Sequence, residues 1–254
     1  MIEDYPKMPD RQLTFALVMP TLNEVDGLRH ILPHIDRSLF QEIIVVDGHS
    51  TDGTIEYARE QGLTVLLQPG KGLTDAQEYA FAHTTADVVI MFTPDGNSLP
   101  ELLGPLCDKL REGYDMVLVS RYLGDAKSED DDLFTGFGNW MFTRIINLLF
   151  RARYTDVLVG FRGYTRDAAK RMELPEMVAQ SPFRQRHPLM NSWETGSSMR
   201  AARLKLKVAE IPGDEPKRVG GVRKMNILLN GSGVVAQILH DFFFFGPRKP
   251  APTV

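Results

Sequence analysis

The sequence predicts an α/β fold in which a mostly parallel central sheet carries helices on both faces. Short apolar runs rich in β-branched residues alternate with segments of helical periodicity through the first half of the 254-residue chain. Parallel neighbours in one sheet need a long crossover connection, usually a helix, so this alternation indicates repeated strand–helix–strand units. The five predicted strands cover residues 14–19, 42–46, 63–67, 87–92 and 115–119.

Helices are predicted between these strands. Pro33 should end or bend the first helix early, and Gly62 should stop the second. The predicted helices cover residues 23–35, 54–61, 73–83 and 100–111.

After residue 120 this alternation breaks down. Residues 124–133 are strongly acidic, and a run of like charges predicts a solvated, flexible loop rather than a metal site. Residues 174–191 contain three prolines and predict an irregular loop. The remaining predictions are helices at 137–150, 193–204 and 225–245, a strand at 205–211, and a strand end with a short helix at 162–172.

Composition narrows the class of protein. The net charge of −4 gives no positive field that would attract nucleic acid, so we expect no nucleic-acid partner. The single cysteine, Cys107, cannot form an internal disulfide and favours a reducing, cytoplasmic location. Its ordinary role is that of a small buried apolar side chain. Residues 1–11 lack the apolar core of a signal peptide, and no stretch reaches the roughly 18–20 apolar residues of a membrane span. We expect a soluble or peripheral protein.

Polar residues follow four of the predicted strands. In parallel α/β sheets ligands bind at the carboxyl ends of the strands, so these segments are the first candidates for a site. Each segment alone has the composition of an ordinary turn. The four together offer carboxylates, small residues and an arginine, which suit a nucleotide with phosphates and a metal ion. They read PTLNE at 20–24, DGHS at 47–50, TPDGN at 93–97 and SRY at 120–122.

In this order the motifs resemble those of family 2 glycosyltransferases of the GT-A fold. The branch they resemble most contains dolichyl-phosphate mannose synthases and polyprenyl-phosphate glycosyltransferases. The resemblance extends over about residues 14–240. It is carried by MPTLNE at 19–24, EIIVVDGHSTDGT at 42–54, GKG at 70–72, ADVVIMFTPDGN at 86–97, SRY at 120–122, TDVLVGFRGY at 155–164 and RVGGVRK at 218–224.

The resemblance implies an inverting, single-displacement transfer of a sugar from a GDP- or UDP-sugar to an acceptor. The preferred acceptor is a polyprenyl phosphate, dolichyl or undecaprenyl phosphate. The implied organisation is a single GT-A-like domain over residues 1–254, with a nucleotide-sugar-binding half at 14–122. The acceptor-side half, at 123–241, includes the C-terminal helix. The alternatives are a soluble or polysaccharide hydroxyl acceptor, and a nucleotide-sugar-binding protein without catalysis.

The resemblance also implies a set of donor-binding residues. Leu22 stands where most relatives have an aromatic residue, and Gly48 where they have a second aspartate, so the nucleobase stays open. Arg121, Arg218 and Lys224 are implied at the diphosphate, where cations form charge-assisted hydrogen bonds. The full donor-binding set is Pro20, Leu22, Glu24, Val46, Asp47, Gly48, Thr93, Pro94, Asp95, Arg121, Arg218 and Lys224.

A divalent cation, Mg²⁺ or Mn²⁺, is expected because a leaving nucleotide diphosphate gathers negative charge. Relatives carry an Asp-x-Asp motif at this point. In the favoured register Thr93 replaces the first aspartate, Asp95 is the second, and Asn97 faces the metal two residues on. In the rival register Asp95 and Asn97 stand at the two ends of the motif. Asp95 and Asn97 are the predicted metal residues in both.

The acceptor-side residues are implied in the second half of the chain. Asp156 joins Asp95 and Arg121 as a predicted catalytic residue. A hydroxyl acceptor would need a general base, for which Asp156 or Glu194 is the candidate. A phosphate acceptor is already anionic and needs orientation more than deprotonation. The acceptor-side set is Arg162, Glu194, Trp140 and Arg144.

Residues 139–150 (NWMFTRIINLLF) combine aromatic and apolar side chains on one helical stripe with nearby arginines. This arrangement suits a membrane surface. The alternative is that this helix packs in the core or forms a dimer, so a homodimer is a second possible use of the segment. The phenylalanine run at 242–245, followed by Arg248 and Lys249, is a second candidate anchor. We therefore expect peripheral contact at the cytoplasmic face of a membrane.

Overall fold

The computed structural model describes residues 12–177, 192–219 and 227–246. The strands are β1 (Phe15–Thr21), β2 (Glu42–Asp47), β3 (Thr64–Leu67), β4 (Val88–Met91), β5 (Met116–Ser120), β6 (Arg162–Thr165) and β7 (Val208–Pro212). They form one seven-stranded sheet in the order β3-β2-β1-β4-β6-β5-β7. Neighbouring strands are parallel except for β6, which is antiparallel to both β4 and β5. The predicted mostly parallel sheet is confirmed.

Helices connect the strands. Pro33 lies in a short 3₁₀ turn directly after the first helix, which ends at Ile31, so its early end is confirmed. Another 3₁₀ turn, Pro100–Leu102, leads into the fourth helix. The helices are α1 (Val25–Ile31), α2 (Thr54–Glu60), α3 (Leu73–His83), α4 (Leu103–Arg111), α5 (Leu133–Phe150), α6 (Arg166–Arg171), α7 (Trp193–Leu204) and α8 (Ile227–Phe244).

The central strands are buried on both faces. Every residue of β4 and of β5 is buried, as are the first five residues of β1. A strand covered by helices on both sides has no solvent face, so its sequence is a continuous apolar run and does not alternate. This is why short apolar runs predicted these strands correctly.

The antiparallel strand β6 fits between β4 and β5 because it contains Gly163. A side chain there would have its Cβ 2.8 Å from Leu110 Cδ1 and 2.9 Å from Leu106 Cδ2, so a larger residue would force α4 away from the sheet. The same face of α4 buries Leu103 and Cys107, which confirms the buried position expected for the cysteine.

The helix α5 begins four residues before its predicted start because Asp132 caps it. Asp132 Oδ1 accepts hydrogen bonds from the backbone N–H of Phe134 at 2.9 Å and of Thr135 at 2.8 Å. Thr135 Oγ1 accepts one from Asp132 N at 2.9 Å, which completes a capping box. The end of the acidic run is therefore ordered structure, and the prediction of a flexible loop there is wrong.

A buried ion pair fixes α8 to α7. Arg200 Nε and Nη2 donate to the carboxylate of Asp241, each at 3.1 Å, and neither side chain is more than 2% exposed. Arg200 Nη1 also donates to Met172 O at 2.7 Å. One helix turn further along α7, Arg203 donates to the carbonyl oxygens of Phe242 and Phe245 at the C-terminal end of α8.

The helices α5 and α8 run side by side in the same direction. A Cβ at Gly231 would lie 3.9 Å from Phe142 Cζ, and further along the Phe150 and Phe242 ring centroids are 6.0 Å apart. Both helices leave apolar side chains exposed, namely Leu133, Phe134, Phe137, Trp140 and Leu148 on α5 and Leu229, Val235, Leu239, Phe243 and Phe244 on α8. Within the described ranges, no helix has both the length and the apolar character to cross a bilayer.

The Arg200–Asp241 pair should be a main determinant of stability. Asp241→Asn leaves a buried guanidinium without its counter-charge, which costs about 3–5 kcal/mol of the free energy of unfolding. Urea denaturation followed by circular dichroism measures this. Asp167→Asn is the matched control, because Asp167 also pairs with an arginine but is 74% exposed, and its change should stay below about 1 kcal/mol. Equal losses in both variants would contradict the prediction.

Candidate active site

The loops after β1 and β2 are tied together by hydrogen bonds to Asp47. Its carboxylate accepts from Thr21 Oγ1 and from both the N–H and the hydroxyl of Ser50, each at 2.7 Å. Ser50 Oγ in turn accepts from Asn23 N at 2.7 Å. Asp47 and its neighbour Val46 are fully buried. Both were predicted to line the nucleoside pocket of the donor; in this structure Asp47 links the two loops from a buried position.

A second set of hydrogen bonds holds the same loops. Val25 N donates to Asp52 Oδ2 at 3.1 Å, and Glu24 N donates to Thr54 Oγ1 at 2.9 Å. A small cavity of about 90 Å³ lies beside these contacts, lined by Glu24, Asp52 and Val219 among others. Of the predicted donor-binding residues in these loops, Leu22 is exposed, and Pro20, Glu24 and Gly48 are partly exposed.

The loop after β4 is clamped between α1 and the segment at 213–219. A Cβ at Gly27 of α1 would lie 2.1 Å from Pro94 O, so the helix rests directly on this loop. On the other side, Val219 N donates to Asp95 O at 2.7 Å. Gly96 has a positive φ of 82°, and a Cβ there would meet Val219 Cγ2 at 2.8 Å. The backbone carrying Asp95 is therefore rigidly held.

The two predicted metal residues are neighbours in this loop. Asn97 N donates to Asp95 Oδ1 at 3.4 Å, and Asn97 Oδ1 accepts from Thr93 Oγ1 at 3.2 Å. Thr93 also exchanges a hydrogen bond with Ser98 Oγ at 2.7 Å. Burial raises the pKa of Asp95, and the charge of Arg218 offsets this only in part. The carboxylate of Asp95 is thus an incompletely compensated buried anion, which a bound cation would stabilise.

Arg121, which follows β5, is the centre of the ion-pair network. Its Nε and Nη2 donate to the two oxygens of Asp156 at 2.7 and 3.0 Å, and its Nη1 donates to Glu215 Oε2 at 3.2 Å. Asp131 Oδ2 lies 3.9 Å from the same Nη1. Asn139 of α5 donates to Asp156 Oδ1 at 3.0 Å. Arg121 was predicted to bind the diphosphate, but in this structure its donors are occupied by carboxylates.

Glu215 was not predicted from the sequence. It follows β7, and its carboxylate contacts Arg121, Ser128 Oγ and Asn97 Nδ2, the last at 3.4 Å. Backbone hydrogen bonds from Glu129 N to Glu215 O and from Glu215 N to Lys127 O attach the acidic run to this segment. Because β7 is parallel to β5, its carboxyl end reaches the same edge of the sheet. Inspecting the end of the predicted strand 205–211 would have found it.

Arg218 lies between two carboxylates. Its Nη1 is 3.4 Å from Asp95 Oδ2, and its Nη2 donates to Asp130 Oδ2 at 3.1 Å. Its Nε is buried and has no hydrogen-bond partner among the residues that the structure describes. Asp130 belongs to the acidic run, so this run packs against the site and is not a solvated loop as predicted. Lys224, the other cation predicted at the diphosphate, lies outside the described residues.

Arg162 does not reach the cleft, contrary to its predicted acceptor-side role. It is fully buried at the start of β6. Its guanidinium donates to Val159 O and Glu194 O, each at 2.8 Å, and to Ser197 Oγ at 2.9 Å. A buried arginine satisfied in this way anchors the start of α7 to the sheet and leaves no donor for a substrate.

The other acceptor-side predictions fall at two separate places. Glu194, in the first turn of α7, is 8% exposed, and its carboxylate accepts from Gln77 Nε2 at 2.8 Å and Ser192 Oγ at 2.7 Å. Trp140 lies on the exposed side of α5, 56% exposed. The Arg144 guanidinium lies 5.9 Å from the centre of the Trp140 ring, within cation–π range.

The site has more negative than positive groups among the described residues. The ion-pair network contains five carboxylates, Asp95, Asp130, Asp131, Asp156 and Glu215, against the two guanidinium groups of Arg121 and Arg218. Such a cleft repels a diphosphate unless a cation accompanies it. Hard oxygen ligands from Asp95 and Asn97 fit Mg²⁺ or Mn²⁺. Across the described ranges no three His, Cys, Asp or Glu side chains are grouped to hold a metal, so phosphate oxygens and water would have to complete its coordination.

A larger surface cavity does not coincide with this site. It has a volume of about 590 Å³ and is lined by Phe81 of α3, Lys170 of α6 and Phe245 after α8. It therefore lies near the C-terminal ends of α3 and α6. The carboxyl ends of the parallel strands, where the charged residues converge, are the better candidate on chemical grounds.

Comparison with known proteins identifies sequence relatives. The sequence model of the family described as glycosyl transferase family 2 matches residues 16–172. Glycosyltransferase AglJ of Haloferax volcanii is 30% identical over 160 residues, which are 63% of this chain and 52% of that protein. The chain thus spans about half the length of this relative. A dolichyl-phosphate hexose transferase of the same organism is 28% identical over 226 residues, which are 88% of this chain and 92% of that protein.

A solved structure has the same fold. Glucosyl-3-phosphoglycerate synthase from Mycobacterium tuberculosis, in complex with Mn²⁺, UDP and phosphoglyceric acid, matches with a TM-score of 0.66. The match covers 93% of this chain and 80% of that chain at 20% sequence identity. The predicted GT-A fold is confirmed.

Removing the charge of Asp156 should destabilise the site and change its pH response. Burial raises the pKa of Asp156, but the charge and hydrogen bonds of Arg121 outweigh burial and hold it below the ordinary value. The stabilisation is therefore complete above the unfolded-state pKa of about 3.9 and is lost as pH falls through the lower native pKa. At pH 7, Asp156→Asn should cost about 3–5 kcal/mol in urea unfolding.

The difference between this variant and the wild type should shrink below about pH 4, where the Asp156 carboxylate of the unfolded wild-type chain begins to protonate. Asp125→Asn, at an exposed position in the acidic run, is the control and should behave as wild type. A difference that stays constant from pH 7 to pH 3 would show that the Arg121 pairing is not its origin.

Proposed function

This chain belongs to glycosyl transferase family 2, and from that premise we propose that it transfers a sugar from a nucleotide diphosphate-sugar to a polyprenyl phosphate. The observation that carries the proposal is the convergence of Asp95, Asn97, Arg218 and Glu215 at the carboxyl ends of the strands. A cleft with surplus carboxylates and hard oxygen ligands suits a diphosphate that arrives with a divalent cation.

In this proposal Asp95, Asn97 and Arg218 hold the donor diphosphate. When bound at Asp95 and Asn97, Mg²⁺ or Mn²⁺ would neutralise the charge that gathers on the leaving diphosphate. Arg218 Nε is buried and has no partner within the described part of the chain, so it is a donor available to a phosphate oxygen. Lys224 keeps its proposed role at the diphosphate. The mycobacterial protein of the same fold binds Mn²⁺ and UDP, which favours a UDP-sugar over a GDP-sugar.

Arg121 and Asp156 act in the proposal as positioning residues. Their bidentate pair joins the end of β5 to the segment before Val157, and Glu215 extends it to the metal loop through Asn97. A rigid pair of this kind orients the groups that touch substrate without losing its own hydrogen bonds. Asp95 is the remaining proposed catalytic residue, acting on the leaving group through charge stabilisation.

The hydrogen bonding of the two candidate bases favours a phosphate acceptor over a hydroxyl. Asp156 is fully buried and paired with Arg121, so it cannot accept a proton from an alcohol. Glu194 has both carboxylate oxygens engaged, by Gln77 and by Ser192. A phosphate acceptor is ionised already and can attack the anomeric carbon without a general base. Inversion at that carbon follows from a single displacement.

The exposed apolar surfaces of α5 and α8 favour a lipid-linked acceptor. Phe137 and Trp140 stack with ring centroids 5.7 Å apart. Arg144 is exposed on the same helix, and Arg151 and Arg153 are exposed just after its C-terminal end. Aromatic rings combined with cations suit the headgroup region of a membrane. One relative is named a dolichyl-phosphate hexose transferase, and the match to it covers 88% of the present chain. We therefore include peripheral contact at the cytoplasmic face in the proposal, with a homodimer through α5 as the competing use of this surface.

The purified chain should form a glycolipid from a UDP-sugar and undecaprenyl phosphate in vesicles containing Mn²⁺. Asp95→Asn should lower the initial rate at least about tenfold, because it removes the one firm metal carboxylate. Asp108→Asn is the control, since Asp108 is 71% exposed on α4. Transfer only to soluble hydroxyl compounds would contradict the lipid acceptor. Donor binding without turnover on any acceptor would point to a non-catalytic binding protein.

Trp140→Ser should weaken binding to vesicles of anionic phospholipid at least about fivefold, measured by co-sedimentation, with UDP affinity unchanged. The control is Tyr57→Ser on α2, because Tyr57 also carries an arginine over its ring, Arg29 at 5.4 Å. If Trp140→Ser instead converts a dimer to a monomer and leaves vesicle binding intact, the surface is a dimer interface and the membrane contact is wrong.

A further inference from the structure

At the carboxyl ends of β1, β2 and β3, Gly48 leaves a gap about the size of a methyl group. A methyl group built onto Gly48 would lie 3.5 Å from Leu22 Cδ1, 3.5 Å from Thr21 O and 3.6 Å from Gln68 Oε1. These are ordinary van der Waals distances, so the absence of a side chain leaves a space that these three groups surround. Backbone hydrogen bonds from Gly48 N to Thr21 O and from Gln68 N to Asp47 O, at 2.9 and 3.0 Å, fix its walls.

The side-chain amide of Gln68 is held in one orientation. Its Nε2 donates to Gly70 O at 3.2 Å and to Gly72 O at 3.4 Å, so its Oε1 points towards Gly48. His49 Nε2 lies 3.1 Å from the backbone oxygen of Gln68 and ties this loop to the one after β2. The Gln68 side chain is almost buried. Among the described residues, no donor contacts Oε1.

The gap therefore combines an oriented acceptor with an apolar wall. Leu22 is 42% exposed and offers a flat contact for a ring. Gln68 Oε1 can pair only with a hydrogen-bond donor. Uracil N3 and guanine N1 carry a hydrogen and can donate it to Oε1. Cytosine N3 and adenine N1 carry no hydrogen and are themselves acceptors, so they would be repelled by Oε1.

From this geometry we infer that Gln68 is a specificity-determining residue that reads the ring N–H of the donor nucleobase, uracil N3–H or guanine N1–H, through the space left by Gly48. The inference rests on the proposed function. It names the part of the donor that the protein recognises, the nucleobase. An acceptor built to meet a ring N–H rejects a base that lacks it, because Oε1 would then be buried without a partner.

The test compares each nucleotide with an analogue whose ring N–H is methylated. Calorimetric titration in the presence of Mn²⁺ should show that UDP binds at least about tenfold more tightly than either 3-methyl-UDP or CDP. GDP against 1-methyl-GDP forms the second arm, and the arm that shows the tenfold ratio identifies the base. In Gln68→Leu the ratio should fall to about twofold or less. A purely structural role of Gln68 would weaken both members of a pair alike and leave the ratio unchanged.

Two further variants keep the inference testable if Gln68→Leu folds poorly. Gly48→Ala places a methyl group in front of Oε1 without a clash, so it should fold normally and lower the ratio at least about threefold. Gln41→Leu makes the same chemical change at an exposed position before β2 and should keep the wild-type ratio.

The possible failures can be told apart. UDP or GDP binding with an undiminished ratio in folded Gln68→Leu overturns the inference and leaves the proposed function standing. Equal affinities of the wild type for UDP, CDP and 3-methyl-UDP, together with no preference for GDP, do the same. Absence of binding by any nucleoside diphosphate overturns both.

Discussion

The pairing of Arg121 with Asp156 is the interaction on which the rest of the site depends. Both groups are nearly inaccessible to water, and a charge taken out of water is tolerated only with a partner at close range. The pair satisfies that condition and also extends outward, through Asn139 to α5 and through Glu215 to the segment after β7. Four stretches of chain that are distant in sequence are thereby brought to one edge of the sheet.

The fold was largely predictable because the central strands are buried on both faces. A continuous apolar run such as Val88–Met91 identifies a buried parallel strand without knowledge of its neighbours. Strand β6 was less accessible to such reasoning. Its sequence, Arg162 to Thr165, contains arginine, glycine and tyrosine and has no apolar run. Its place depends on Gly163 admitting α4 and on Arg162 finding its partners in α7, and both are tertiary facts.

The site was predictable where it coincides with strand ends that carry recognisable motifs, and less so where it depends on pairing. Asp95 and Asn97 could be identified from their position after β4. The sequence could not reveal that Asp47 turns inward or that Asp156 holds Arg121, since each depends on which of several possible partners lies closer. The acidic run at residues 124–133 was wrongly predicted to be a solvated loop for a related reason. Like charges repel when solvated, but Asp130 and Asp131 are neutralised by arginines from other parts of the chain.

The orientation of α5 about its own axis links the charged interior to the protein surface. Asn139 and Trp140 are consecutive residues, yet the first donates inward to Asp156 and the second is exposed. Successive residues in a helix are separated by about 100° of rotation, because a turn contains 3.6 residues. A one-residue deletion between the cap and Asn139 would therefore swing the indole towards the buried carboxylate and withdraw its amide partner, so the length of the segment from 132 to 139 is under strict steric constraint.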